Sequence, residues 1–439
     1  MHFVTTLSVS LLAAIATARP SPRAPDQPPV FAHYMIGEIF DDHTEQDISD
    51  AKALGIDAFA LNINNIKDSW SVNTVDRLFK HADAKGFGLF FSFDMAKDAG
   101  YFTAPDQFQD YLKNFLKRKS YYKYGGKNLV STFGGEEVSA TQWIKFKENV
   151  GNSIVVPGYY QSEQADGKVF EKNNGLDGIF NWNSWPEAGS KTKVSAAGDK
   201  TFKSAATNGK LFMMGMSPLQ FKHMDNQENR YRRGEDNLEL RIEQVLDVQP
   251  QMLELQTWND GGEGHYMGKL WPEPMTDAAA IKKYVDGYDH TGYWQILPSF
   301  IQAYKRGDKD TKNMVPTNGK SVQGTFWHHT LTVGGNCGSD PIKKPSTASA
   351  AEDAVTGVIL VAKGKSGLTV VVKNGDKELG KQGLKEGFNR FKFTGLGAGK
   401  VQVEVWEGST MVSGGYGPKE VKTSDSVCNY NFQVVAMGA

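Results

Sequence analysis

The chain has 439 residues, of which 39% are hydrophobic and 11% aromatic, enough to bury at least one large core, so wholesale disorder is excluded. A formal charge of -1 leaves no basic surplus for nucleic acid or an anionic membrane, so neither is an expected partner and an uncharged one fits better.

Phe3 to Ala18 is apolar or small throughout, too short to span a bilayer, and ends in the small-x-small pattern Ala16-Thr17-Ala18. Residues 1–18 therefore read as a signal peptide and 19–29 as a Pro-rich linker, which makes the mature protein a secreted one. No later apolar run approaches the roughly 20 residues that cross a bilayer. Cys337 and Cys428 are expected to join in one long-loop disulfide in an oxidising compartment, and two cysteines are too few for a metal cluster. No Asn-x-Ser/Thr sequon occurs.

From Val30 onward, strand-like segments alternate with helix-like ones. The expected strands are Val30 to Ile36, Ile56 to Asn62, Gly88 to Phe93, Asn128 to Phe133, Ser153 to Tyr159, Leu176 to Asn181, Lys210 to Met216 and Met252 to Trp258. Between them, Ile48, Ala51 and Leu54 form an apolar stripe behind Thr44, read as an N-cap. Val75, Leu78, Phe79 and Ala82 form a second stripe, Phe108, Tyr111, Leu112 and Phe115 a third opened by Pro105, and Leu238, Ile242, Val245 and Leu246 another. Near-continuous apolar strands separated by amphipathic helices predict a (β/α)8 TIM barrel over 30–310. An open doubly wound sheet is disfavoured because no Gly-x-Gly-x-x-Gly follows the first strand. Beyond about Asp308, short runs such as Thr356 to Ala362, Leu368 to Lys373, Phe388 to Phe393 and Val401 to Trp406 predict an antiparallel β-sandwich over 311–439. Packing against the barrel is its expected role, with polymer binding through Trp406, Tyr416 or Tyr430 as the alternative.

In a barrel, functional residues gather where strands end. The last such end, Met252 to Tyr266, breaks at Gly261-Gly262 between two carboxylates, Asp260 and Glu263, which suggests acid/base chemistry. Trp258, His265 and Tyr266 flank them as rings suited to sugars. Asn62, Asn64, Asp94, Glu136, Tyr160, Gln161, Trp182 and Trp185 end other strands and complete a polar, aromatic-lined pocket for carbohydrate. The plain alternative for each is capping or packing at the barrel mouth. His-Glu-x-x-His is absent, so no metal is expected, and Gly215-Met216-Ser217-Pro218 lacks the last glycine of a nucleophile elbow.

Phe31-Ala32-His33-Tyr34-Met35-Ile36-Gly37, Gly55-Ile56-Asp57-Ala58-Phe59-Ala60-Leu61-Asn62, Phe91-Ser92-Phe93-Asp94-Met95, Val130-Ser131-Thr132-Phe133, Asp177-Gly178-Ile179-Phe180-Asn181-Trp182 and Thr257-Trp258-Asn259-Asp260 with Glu263 occur in that order. Together they resemble the fungal α-1,3-glucanases, or mutanases, of glycoside hydrolase family seventy-one. The resemblance implies a secreted or wall-associated endo-acting hydrolase of α-1,3-glucan, expected as a monomer, that inverts the anomeric carbon without a cofactor, with Asp260 and Glu263 as its catalytic carboxylates. Gly261, Gly262 and Gly264, and the basic run Asn229 to Gly234, depart from the family pattern. A chain that only binds glucan, or a hydrolase of another glucan linkage, would fit the same residues.

Inversion needs the two carboxyl groups roughly 6.5 to 9.5 Å apart, with room for a water. A glycine-rich loop is expected to let Asp260 and Glu263 diverge that far, with Glu263 as acid and Asp260 as base. A pair drawing on Asp94 or Glu136 from across the barrel is the competing arrangement.

Overall fold

The computed structural model describes residues 27–97, 99–161 and 165–438, so the expected leader and most of the expected linker lie outside the described residues. Eight parallel strands close on themselves: β1 (Val30–Met35), β2 (Ala58–Ile63), β3 (Gly88–Met95), β4 (Lys127–Gly134), β5 (Ser153–Tyr159), β6 (Gly178–Asn181), β7 (Leu211–Met216) and β8 (Met252–Leu255). The seam is set by Val30 opposite Leu253 and Ala32 opposite Leu255, which pairs β1 with β8. The strands are buried along almost their whole length, as the near-continuous apolar runs required.

Helices cover the outside. In Asp41–Leu54, Ile48, Ala51 and Leu54 face inward, and Gly55 ends the helix at φ 93°, a left-handed conformation that glycine adopts freely. Thr44 is not its N-cap. Asp41 and Asp42 start the helix a turn earlier, where carboxylates complement its positive end, and Thr44 Oγ1 donates to the Asp41 carbonyl at 2.7 Å. Val75, Leu78, Phe79 and Ala82 are the buried face of Ser69–Lys85. The Pro105 stripe splits into a 3-10 turn and the short helix Gln109–Lys113, with Phe108 stacked on Phe93 at 3.8 Å.

β8 stops at Leu255 rather than Trp258. Gln256 N still donates to the Met216 carbonyl at 2.8 Å and Trp258 N to that of His33 at 2.7 Å, but Thr257 N turns away to the carbonyl of His265. The loop that follows is thus tied to both neighbouring strands.

Eight of the C-terminal strands form two antiparallel sheets, and Leu331–Asn336 pairs in parallel with Lys422–Ser424. The first orders Gly387–Thr394, Ala354–Val361, Val322–His329 and Phe432–Ala436, and the second Lys377–Leu384, Leu368–Asn374, Val401–Glu407 and Thr410–Tyr416. Phe326, Ile359 and Val435 on one face of the first sheet pack with Val370, Val403 and Val405 of the second. Trp327, Val358, Leu360 and Val434 on its other face join the core of the barrel. The first sheet is therefore a middle layer buried on both sides. Tyr430 is fully buried there and donates to the Val333 carbonyl at 3.2 Å, which removes it as a polymer contact. Cys337 and Cys428 are joined as a disulfide.

The contact between barrel loop and middle sheet is tight at Gly234, where an added Cβ would lie 2.5 Å from the Phe432 ring and 2.6 Å from Leu219. Gly234→Ala is expected to destabilise the fold by about 1–3 kcal/mol through overpacking. A urea transition with a lower midpoint and unchanged slope checks this.

Candidate active site

The loop after β8 carries the two carboxylates. Asn259 fixes its entry by mimicking a strand partner, accepting from Met35 N at 2.8 Å and donating to the Met35 carbonyl at 3.1 Å. Asp260 N then donates to Thr257 Oγ1 at 2.9 Å, and Asp260 Oδ1 accepts from Glu263 N at 2.9 Å, so the first acid holds the backbone of the second. His265 is fully buried beneath them, its Nε2 3.2 Å from Asp260 and 3.5 Å from Glu263. One oxygen of each acid and a ring nitrogen of His265 lie within 4.8 Å of one another. The two carboxylates thus come closer than the expected divergence, with the Asp260 side chain tied to the Glu263 backbone.

Glu263 meets a second element that the sequence reading did not anticipate. Between β7 and the helix Leu238–Val248, the chain forms a hairpin of Gln220–His223 and Asn229–Arg232, with Lys222 opposite Arg230 and Phe221 opposite Tyr231. Alternation turns Phe221 and Tyr231 onto Tyr430 and presents Gln220, Lys222, Arg230 and Arg232 to the barrel mouth. Lys222 Nζ lies 2.8 Å and an Arg230 amino group 3.8 Å from Glu263, Gln220 Nε2 donates to its other oxygen, and Phe221 N donates to the Glu263 carbonyl at 2.8 Å. Burial pushes the Glu263 carboxyl up, but Lys222, His265 and Arg230 outweigh it and hold it at about 2. Glu263 is thereby favoured as a carboxylate, the state of a base, where the sequence reading has it as the acid.

A cavity of about 610 Å³ opens over this pair at the C-terminal ends of the strands. Its lining includes Asn62, Asn64, Asp94, Tyr160, Trp182, Trp185, Asp260 and Glu263, so those expected residues converge. Five others do not line it. Glu136 instead accepts from the backbone N–H groups of Tyr160 and Gln161 at 2.7 and 2.9 Å, bracing the loop after β5 that places Tyr160. Gln161 contributes that backbone group. Trp258 is buried against Trp294 and Phe59, Tyr266 is stacked on His290 at 3.9 Å, and His265 lies under the acids. All three rings sit too deep to reach a sugar. Of the remaining aromatics, Tyr160 already has one face on Phe133, at 4.5 Å, while Trp182 and Trp185 are mostly buried and present only part of their rings.

Asp94 stands among these groups and accepts from Ala96 N at 3.0 Å. Burial pushes its carboxyl up to about 6, with the neighbouring charges of Glu263 and Asp260 adding to the rise. His33, another lining residue, is fixed from inside the barrel, where its Nδ1 is 2.8 Å from the buried Glu254. Trp182 lies edge-on to its ring at 4.8 Å. His33 sits in mid-strand, where a histidine reads as core; the signal that marks it is the acid at Glu254, which β8 places on the same seam.

Residues 26–439 match the profile of glycosyl hydrolase family 71. The chain belongs to that family. It is 29% identical over 416 residues to a mutanase of Penicillium rubens, covering 92% of this chain and 87% of the relative. It is 29% identical over 340 residues to the glucan endo-1,3-alpha-glucosidase agn1 of Schizosaccharomyces pombe, covering 74% and 76% of the two chains. It is 26% identical over 450 residues to the ascus wall endo-1,3-alpha-glucanase of the same yeast, covering 96% and 98%. The family 71 chain is thus a glycoside hydrolase.

Asp260, Glu263 and His265 are spaced to hold a cation, but a cation entering there would compete with Lys222 for Glu263. The charge of Glu263 is already compensated by the hairpin.

Because its folded value is depressed, Glu263 adds stability above its ordinary value of about 4.3, and that contribution is lost as pH falls towards 2. Removing the cation reverses the sign. With Glu263 keeping 19% of its side-chain surface exposed, Lys222→Met is expected to cost about 1–3 kcal/mol at pH 7, and less at about pH 4, where the acid can be protonated. Urea unfolding at the two pH values checks this; an equal loss at both would contradict it.

Proposed function

We propose that the protein is a secreted endo-acting hydrolase of α-1,3-glucan that works with inversion, with Glu263 as one of its two carboxylates. The substrate is carried by the names of the relatives above, matched over most of their length, together with a neutral, hydroxyl-binding cavity at the barrel mouth. Secretion rests on the leader Phe3 to Ala18, and the disulfide is consistent with it.

In this reading, Glu263 takes a proton from a water that attacks the anomeric carbon, and a second carboxyl gives its proton to the departing oxygen. His265 and Lys222 hold Glu263 in place and in its ionised form. Asp260 is the first candidate for the proton donor. A second arrangement, with Asp94 as donor, is favoured by one observation: its carboxyl is buried in the cavity wall and raised to about 6, which leaves it partly protonated near neutrality.

Proton NMR of the protein acting on α-1,3-glucan is expected to show reducing ends first as the β-anomer. Asp260→Asn and Glu263→Gln are each expected to lower turnover by about a hundredfold or more. First-formed α-anomer would mean retention, and no sugar from α-1,3-glucan would overturn the substrate.

The two donors are separated with a glycosyl fluoride, whose leaving group needs no proton. The variant that has lost the true donor, Asp260→Asn or Asp94→Asn, is expected to keep turnover of the fluoride while losing it on glucan. If Asp94→Asn cleaves glucan at the unaltered rate, Asp94 is not the donor.

A further inference from the structure

The second C-terminal sheet turns one face into the sandwich core through Val370, Val372, Val403 and Val405. By alternation the opposite face carries Thr369, Val371 and Lys373 on one strand, and Trp406, Glu404 and Gln402 directly across from them on the next. These side chains are organised. Glu404 is 6% exposed and accepts from Lys373 Nζ and from the Trp406 indole N–H, both at 3.0 Å, while Gln402 donates to its other oxygen and to Tyr416. A bulge falls between Val405 and Trp406, where the ladder to the edge strand shifts register, and bulges of this kind re-aim a side chain. Trp406 is thus held by its N–H on a buried acid at the wall of a groove of about 570 Å³, within the range of ligand sites.

We propose that this groove is a second binding site for a glucan chain, separate from the catalytic cavity. The indole offers an apolar platform for the C–H face of a sugar, and the amide, hydroxyl and carboxylate groups beside it suit its hydroxyls. Lys373 and Lys381 balance Glu378 and Glu404 in the lining, so the groove favours an uncharged polyol over an anion or a cation. Nearby Met411 and Tyr416 remain 48% and 60% exposed. The middle sheet separates this face from the barrel, so one chain would hold an insoluble polymer at two places, which raises retention without altering chemistry. The identity of the polymer rests on the proposed function; the existence of the site rests on the groove.

The test is sedimentation of the full chain with insoluble α-1,3-glucan, carrying Glu263→Gln to prevent digestion, with and without Trp406→Ala. Binding is expected to weaken about tenfold on loss of the aromatic anchor. Thr369→Arg fills the groove and leaves Trp406 in place, and is expected to give the same loss if Trp406→Ala fails to fold. The single variant Trp406→Ala is expected to turn over a soluble α-1,3-oligosaccharide at the unaltered rate. Unchanged sedimentation of the folded variants would overturn the proposal, as would loss traced to a Trp406-dependent dimer in ultracentrifugation. If the wild-type chain cleaves no α-1,3-glucan, yet is retained on it through Trp406, the substrate reading fails and the groove stands.

Discussion

The site depends on keeping a carboxylate ionised at the foot of a half-enclosed cavity. Withdrawing such a charge from water costs several kcal/mol unless partners replace the lost solvation. Apart from His265, the partners of Glu263 come from outside the (β/α)8 framework: Lys222, Arg230 and Gln220 all sit on the hairpin inserted after β7. The hairpin in turn leans on the C-terminal region. His223 bridges Asn229 and Asp340, each at 2.8 Å, and the same Asp340 oxygen accepts from Cys428 N at 2.8 Å, beside the disulfide. Below it, Arg233 and Lys392 share Asp236 and Glu352 across the junction of barrel loop and middle sheet. The sandwich is therefore a structural support of the Glu263 charge as well as an appendage to the barrel.

The barrel supplies the opposing condition. Asp94 projects from the end of β3 into the same cavity, with fewer compensating donors, and its carboxyl rises while that of Glu263 falls. Two acids in one cavity are driven apart in proton affinity because one faces a cationic hairpin and the other is buried beside two further carboxylates. Such a split is how one pocket provides a proton acceptor and a proton donor at the same pH.

The barrel was legible because its strands are apolar on both faces and its helices carry clear stripes, as in Val75, Leu78, Phe79 and Ala82. The C-terminal strands were half legible for a related reason. Val322–His329 and Phe432–Ala436 are buried on both faces and lack alternation, and Lys377–Leu384 is a polar, glycine-bearing edge, so none resembles a half-buried strand. At the site, strand ends picked out Asp94, Tyr160, Trp182, Trp185 and the two acids. Strand-end position alone could not separate a ring that lines the cavity from one that packs below it, which is why Trp258, His265 and Tyr266 were grouped with the others. The basic run Asn229 to Gly234 stood out as an anomaly without an assigned role. Its meaning lay in the alternation of Gln220 with Lys222 and of Arg230 with Arg232, a hairpin pattern within a segment read as loop.

The central claim is that Glu263 is a carboxylate held by the hairpin. Its most direct test is a carbon-13 NMR titration of protein labelled at the glutamate carboxyl carbon, with the signal assigned by its loss in Glu263→Gln. The account predicts a midpoint of about 2, well below that of the other glutamates. A midpoint at or above the ordinary value of about 4.3 would contradict it and return Glu263 to the role of acid.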